Sequence, residues 1–274
     1  MVDLTTACSD LLRGIALKDA ILFFLLIFTR MLAMSTMMPI FGAQVLPGLT
    51  RVVLSAILSS VVFAPLINQA EALAELSVFF LTMLFLKEAI FGIALGFLAS
   101  LLFFAYELFG ELIDISRGAS MSKLLVPELK HQSSPMGTLF FQLALVITIA
   151  LGFHRTIIAA SYKSFLTFPV ISLAWQYSSP TFTEHVFAIL QTLFECALRL
   201  ALPVILICLV IDLAFGLMNR VAPQINAYFL SLPAKMVGGL LILIILLPFL
   251  LDDFHDHYHS LTSFFDAFIN GAGS

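Results

Sequence analysis

Six stretches of this chain are so apolar, and so long, that they read as helices inside a membrane: roughly residues 20–41, 52–67, 76–106, 138–153, 186–218 and 225–251. A helix needs about 20 apolar residues to cross a bilayer core. No water is available there to bond the backbone, so only helices and closed barrels can span. A barrel would show short alternating strands, and these runs do not alternate. The expected fold is therefore all-α, a polytopic membrane protein of long, kinked helical hairpins forming one domain over residues 1–274. Composition agrees: 61% of the residues are hydrophobic and 11% charged, where soluble chains carry about 25% charged residues.

Pro39, Gly42, Pro47 and Gly48 punctuate the chain after the first run, and Pro223 precedes the last. The third and fifth runs are longer than a bilayer requires and should tilt or bend, with a kink at Pro203. A shorter apolar piece at 165–175 reads as re-entrant or interfacial, and residues 252–274 as a polar tail. Asp3, Asp10 and Asp19 offset Arg13 and Lys18 at the N-terminus, which argues for a retained first span rather than a signal peptide. Loop charge gives no orientation. With six spans, one side carries Arg13, Lys18, Arg155 and Lys163 and the other Arg51, Arg117, Lys123, Lys130 and Arg220. The net charge of -4 is dispersed, so nucleic acid is not expected as a partner.

Seven charged residues sit inside the apolar runs: Arg30, Lys87, Glu88, Glu195, Arg199, Asp212 and Lys235. Each costs about 2.5–3.5 kcal/mol at a lipid-facing helix centre, roughly 20 kcal/mol together, more than most folds have in net stability. They should therefore face protein or water. Small residues share their faces: Glu88 lies on a stripe with Gly92, Gly96 and Ser100, Asp212 precedes Gly216, and Lys235 precedes Gly239. Small residues four apart let membrane helices approach closely, so these are subunit- or helix-packing positions. Glu88, Asp212 and Lys235 are expected to meet other subunits. Glu195 and Arg199, four apart with the acid first, read as a self-neutralised pair or as a contact to a partner.

Residues 107–137 mix charge with Leu, Ile, Val and Met. Gly110 and Gly118 suggest bends around Glu111 and Asp114, and Met121 suits irregular contacts. This connector reads as non-helical chain held against protein or along an aqueous path, or as an amphipathic segment on the membrane surface. No catalytic site emerges. Phosphate-binding, zinc-protease and serine-hydrolase motifs are absent from the sequence, and Asp114 and Asp212 lack the setting of an intramembrane acid dyad. Cys8, Cys196 and Cys208 read as small apolar residues. In the tail, His255 and His259 share a helical face and could ligate metal, although a polar helix end accounts for them more simply. No cofactor is expected.

The order of several motifs is informative: Arg30, Pro39 and Pro47-Gly48; Lys87-Glu88 with Gly92 and Gly96; Gly110-Glu111 with Asp114 and Gly118. Ser134-Pro135 with Gly137, Gly152 to Arg155, Pro203, Asp212 with Gly216, and Asn219-Arg220 with Pro223, Gln224 and Asn226 follow. Together they resemble the FliR/SctT family of the type III export gate. The Ser134–Gly137 and Gly152–Arg155 segments look closer to the injectisome branch than to the flagellar one. The resemblance implies a structural, non-enzymatic subunit of the bacterial inner membrane, protruding into the periplasm within a helical gate. It would be a single copy among FliP/SctR-like, FliQ/SctS-like and FlhB/SctU-like subunits, passing unfolded proteins. It also implies that Gly110, Glu111, Asp114, Gly118 and Met121 belong to a plug that keeps the pore shut. A small-solute transporter or channel is the rival, since buried charges and broken helices suit it too.

Overall fold

The computed structural model describes residues 17–42, 45–73, 76–119, 134–172, 180–222, 224 and 226–270. Among them the chain forms α1 (Leu17–Met37), α2 (Gly48–Leu66), a 3-10 helix (Ile67–Leu73), α3 (Val78–Arg117), α4 (Pro135–Ala150), α5 (Phe153–Thr167), α6 (Pro180–Val221) and α7 (Ala227–Asn270). Five helices are long and apolar enough to cross a membrane, or six spans when the broken pair α4–α5 is taken as one. The protein is thus an all-α, multi-pass membrane protein.

Local chemistry sets the ends. α1 stops at Met37 because Pro39 disfavours helical backbone at the residue before it. Ser134 caps α4, its Oγ accepting from the Gly137 N–H at 3.0 Å, and Pro135 fills the first turn, where a missing N–H costs nothing. Gly152, at φ 78°, takes the left-handed backbone that separates α4 from α5. α6 runs through Pro203, and α7 through Pro233 and Pro248.

One expectation needs correcting here. Gly110, Glu111 and Asp114 are not in irregular chain: α3 continues through them to Arg117, and the left-handed turn comes only at Gly118, φ 77°. Phe109 and Ile113 are fully buried, and packing at that helical spacing outweighs the low helix propensity of one glycine. The polar tail expected from residue 252 is helical as far as Asn270, where α7 ends. Of the apolar piece at 165–175, its first three residues form the last turn of α5. Met121 and Pro223 lie outside the described residues.

The chain divides into two compact units, the first within Met1–Ser100, Gly152–Phe182 and Phe264–Ser274, the second within Leu101–Leu151 and Thr183–Ser263. The core of the first joins Phe23, Leu26, Ile27 and Met31 of α1 to Val62 and Leu66 of α2, Leu84 of α3 and Phe165 of α5. Ser35 and Ser55 pair their hydroxyls at 3.0 Å across α1 and α2. In the second, Phe109 packs on Phe140 with ring centres 4.6 Å apart, and Tyr106 on Phe254 at 5.1 Å.

Candidate functional site

In the first unit the apolar helices enclose a charged cluster. Arg30 of α1 and Glu88 of α3 are 1% and 0% exposed. The guanidinium grips the carboxylate with two N–H groups, Nε to Oε2 and Nη2 to Oε1, the latter at 2.8 Å. Its other donors reach the end of α5: Nη1 to the Ser164 carbonyl at 3.1 Å and hydroxyl at 3.3 Å, and Nη2 to the Phe168 carbonyl at 3.1 Å. Phe165 and Phe91 lie 4.1 and 4.7 Å from the guanidinium carbon. Lys87 completes the group. Its Nζ binds Glu88 Oε1 at 2.8 Å and donates to the carbonyls of Pro169, Val170 and Ser172 at 2.9–3.0 Å.

Two cations therefore stand where a helix exposes unsatisfied carbonyls and the negative end of its dipole, with one carboxylate between them. This is an electrostatic C-cap that joins α1, α3 and α5. The same face is close-packed: a Cβ at Gly92 would lie 2.4 Å from the Arg30 carbonyl oxygen, and one at Gly96 2.5 Å from that of Met34. The expectation that Glu88 meets another subunit is corrected by this geometry, since its own chain covers it completely.

In the second unit the carboxylate of Asp114 clasps the start of α4. Its Oδ2 accepts from Ser134 Oγ at 2.5 Å and from the Met136 N–H at 3.0 Å. Gly110 faces the same turn, where a Cβ would come within 2.5 Å of Met136 and Gly137 backbone. The glycine permits close approach; it does not bend the helix. Both ends of the chain joining α3 to α4 are thus tied to one side chain. Glu111 is exposed beside Gly137, where its Cγ would lie 3.2 Å from an added Cβ.

Farther along, Lys235 of α7 is buried and pairs with Asp212 of α6, Nζ to Oδ1 at 2.9 Å, while the Asp212 side chain stays 46% exposed. Asp212, Gly216, Asn219, Tyr228, Ser231 and Lys235 line an open recess of about 350 Å³. Among the described residues nothing lies within 4 Å of a Cβ added at Gly216, so none of them packs closely there. Gly239 is a contact position, because Arg117 lies across it at 2.8 Å. Sequence reasoning used Arg117 only to count loop charge. In the structure it is buried, with Nη2 on the Met236 sulfur at 3.5 Å and, among the described residues, no partner for Nε or Nη1. Glu195 accepts from Gln191 at 2.7 Å; among the described residues it forms no ion pair with Arg199, and both are exposed. In the link between α6 and α7, Arg220 and Gln224 are exposed, and Asn226 Oδ1 accepts from the Phe229 N–H at 3.5 Å.

At the end of the α7 span, Asp253 gathers three side chains on its Oδ2: Cys196 Sγ at 3.1 Å, His257 Nδ1 at 3.3 Å and the Tyr106 hydroxyl at 3.4 Å. Burial alone pushes the Asp253 carboxyl up, but hydrogen bonds from His257, Cys196 and Tyr106 more than offset it and hold the group below its ordinary value. The hydrogen bond to Asp253 raises His257 against the opposing effect of burial. His255 and His259, the expected metal pair, are exposed with their Nε2 atoms 3.1 Å apart. Metal-ligand chemistry converges instead on Cys196, Asp253 and His257.

Residues 21–261 match the family model "Bacterial export proteins, family 1". The chain is 30% identical over 230 residues to Yop proteins translocation protein T of Yersinia pestis, covering 84% of this chain and 87% of that protein. It is 30% identical over 228 residues to the secretion system apparatus protein SsaT of Salmonella typhimurium, covering 82% and 86%. The flagellar biosynthetic protein FliR of Bacillus subtilis is 27% identical over 222 residues, covering 81% and 85%.

Proposed function

The chain belongs to the bacterial export proteins, family 1, and from that membership we infer that it works as a membrane subunit of a type III export apparatus. The carrying observation is the extent of the match, which takes in most of α1, all of α2 to α6 and most of α7, beside similarity to relatives named for flagellar biosynthesis and for Yop proteins translocation. A small-solute transporter is not favoured. Family members are structural components, and the proposed role is likewise structural rather than enzymatic: a wall of the gated pore through which unfolded proteins pass.

The finer reading places it in the bacterial inner membrane, raised toward the periplasm, among FliP/SctR-like, FliQ/SctS-like and FlhB/SctU-like subunits. Support comes from α6 and α7, whose spanning windows are 22% buried by their own chain, against 67% for α3. Glu195, Arg199 and Asp212 stand on the uncovered part of α6, and bare lipid is a costly neighbour for them. Replacing Glu195 and Arg199 together by Ala should reduce recovery of partner subunits with the tagged chain; undiminished recovery counts against the assignment of that face. Deleting the gene should abolish export, and a deletion strain that still secretes normally refutes the assignment as a whole.

The gate is assigned to Gly110–Met121. Its first eight residues are the end of a helix, so control would lie in the Asp114–Ser134 clasp at the base of the connecting chain. Asp114→Asn keeps the shape and removes the charge. It should raise ion conductance of the assembled gate, and conductance equal to wild type would discard the idea.

A further inference from the structure

We propose that Cys196, Asp253 and His257 form a binding site for a single borderline-soft divalent metal, zinc above all. Their ligand atoms come from α6 and α7 of the same compact unit and lie within 4.8 Å of one another. Cys196 is 4% exposed, and its buried sulfur donates to the carboxylate beside it at 3.1 Å. A tetrahedral zinc places sulfur, nitrogen and oxygen ligands at about 2.0–2.3 Å from the ion, and hence roughly 3.3–3.7 Å from one another. The pairs Cys196–Asp253 and His257–Asp253, at 3.1 and 3.3 Å, are already near that spacing.

The donor set chooses the metal. Thiolate and imidazole favour zinc and its neighbours over magnesium or calcium, which prefer all-oxygen shells. Three protein ligands leave a fourth position for water. Tyr106 is an outer partner, its hydroxyl 3.4 Å from the Asp253 oxygen, and orients the carboxylate without touching the ion. Binding exchanges hydrogens for metal: the thiol proton that Cys196 gives to Asp253 is released as the S–metal bond forms, and the Nδ1–H that His257 donates to the Asp253 carbonyl, 2.8 Å away, is given up, the neutral ring keeping its one proton on Nε2 so that the Nδ1 lone pair is free for the ion. The ion would thus join α6 to α7 at the end of the α7 span, a link that apolar packing alone does not supply. Neither the export role nor the gate requires it.

The test uses the full chain purified with its co-expressed membrane subunits, without chelator. Metal analysis should find about one zinc per chain, falling at least about tenfold in Cys196→Ser and in His257→Gln, as loss of a ligand predicts. Tyr106→Phe should weaken affinity by about 10–100-fold with all three ligands in place. If those variants fail to assemble, cobalt added to chelator-stripped protein carrying Cys8→Ser and Cys208→Ser reads the site directly. A thiolate-to-cobalt absorption band then supports coordination by Cys196. Equal zinc in wild type and ligand variants, or no band with Cys196 as the sole thiol, reduces the cluster to a hydrogen-bonded one and overturns the proposal.

Discussion

Replacing Glu88 by Leu is expected to be the most damaging single change in the first unit, because of the charge it leaves behind. Arg30, Lys87 and Glu88 sum to one positive charge, softened by the carbonyls of Ser164, Phe168, Pro169, Val170 and Ser172. Glu88→Leu leaves two cations and no anion. Lys87→Met leaves the bidentate Arg30–Glu88 pair, which is neutral; it also strips three hydrogen bonds, from the carbonyls of Pro169, Val170 and Ser172, but at a side chain that is 14% exposed where Arg30 is 1%, so water replaces them at less cost. Arg30→Met leaves Lys87 on Glu88 at 2.8 Å, again neutral, but strips three hydrogen bonds from the α5 end. Breaking a buried pair by removing one partner costs about 3–5 kcal/mol, whereas losing a hydrogen bond from a charged group costs about 1.5–3 kcal/mol. The expected order of damage is therefore Glu88→Leu, then Arg30→Met, then Lys87→Met. In a domain of this size 1 kcal/mol moves the thermal midpoint by about 2–4 °C, so Glu88→Leu should lower it by about 6–20 °C. Thermal scanning of the purified membrane complex, with the amount of chain retained in membranes, measures this. The sharper test is the double variant. Adding Lys87→Met to Glu88→Leu returns the cluster to one positive charge and should partly restore the midpoint. A Lys87→Met loss as large as that of Glu88→Leu, or a double variant showing the plain sum of the two losses, would refute the electrostatic reasoning.

Gly96→Ala should lower the midpoint, since the new methyl meets the Met34 carbonyl oxygen at 2.5 Å and overpacking costs about 1–3 kcal/mol; Gly216→Ala, with open space around it, should be neutral or gain the roughly 0.5–1 kcal/mol of better helix propensity. If both behave alike in the same scan, close approach is not what the Gly92–Gly96 stripe provides. Gly152→Ala, at φ 78°, should cost about 1–2 kcal/mol although its surroundings are empty, and the scan reads that loss too. Lys235→Met combined with Asp212→Asn should shift stability by less than about 1 kcal/mol, because the half-exposed carboxylate is screened; a loss several times larger would mean that the pair is enclosed by neighbours in the assembly.

Much of this was legible in the sequence because the bilayer leaves so few options. Apolar length alone located the spans, and the cost of charge in lipid required shelter for Arg30 and Glu88 before any contact was visible. What the pattern does not carry is who provides the shelter. Arg30 and Glu88 are 58 residues apart and Arg30 and Ser164 134 apart, and no local spacing links them. Asp114 was misread for a related reason: charge and glycine amid Leu and Ile look like irregular chain until α4 is present to pack against Gly110. Arg117 was missed because it stands at a helix end, where a solvated cation is the ordinary expectation. Its burial across Gly239 is a property of α7. Cys196 and His257 lie 61 positions apart in sequence, so only the pairing of α6 with α7 makes them neighbours.

The two units deal with charge in opposite ways, and that difference bears on where partners belong. In the first, every ionised group of the Arg30 cluster finds its acceptor or donor on the same chain, so this cluster is sheltered without a partner. In the second, Glu195, Arg199 and Asp212 remain exposed on helices that their own chain buries only 22%. At a lipid-facing helix centre three such groups would cost roughly 8–10 kcal/mol, comparable with the whole net stability of a typical fold. Lys235 offsets part of this for Asp212, and nothing comparable acts on Arg199 among the described residues. Either water reaches α6 or other polypeptide covers it. A pore wall with neighbouring subunits meets both conditions, whereas an isolated bundle in lipid meets neither, and for that reason the export-gate reading bears on α6 more heavily than on any other helix.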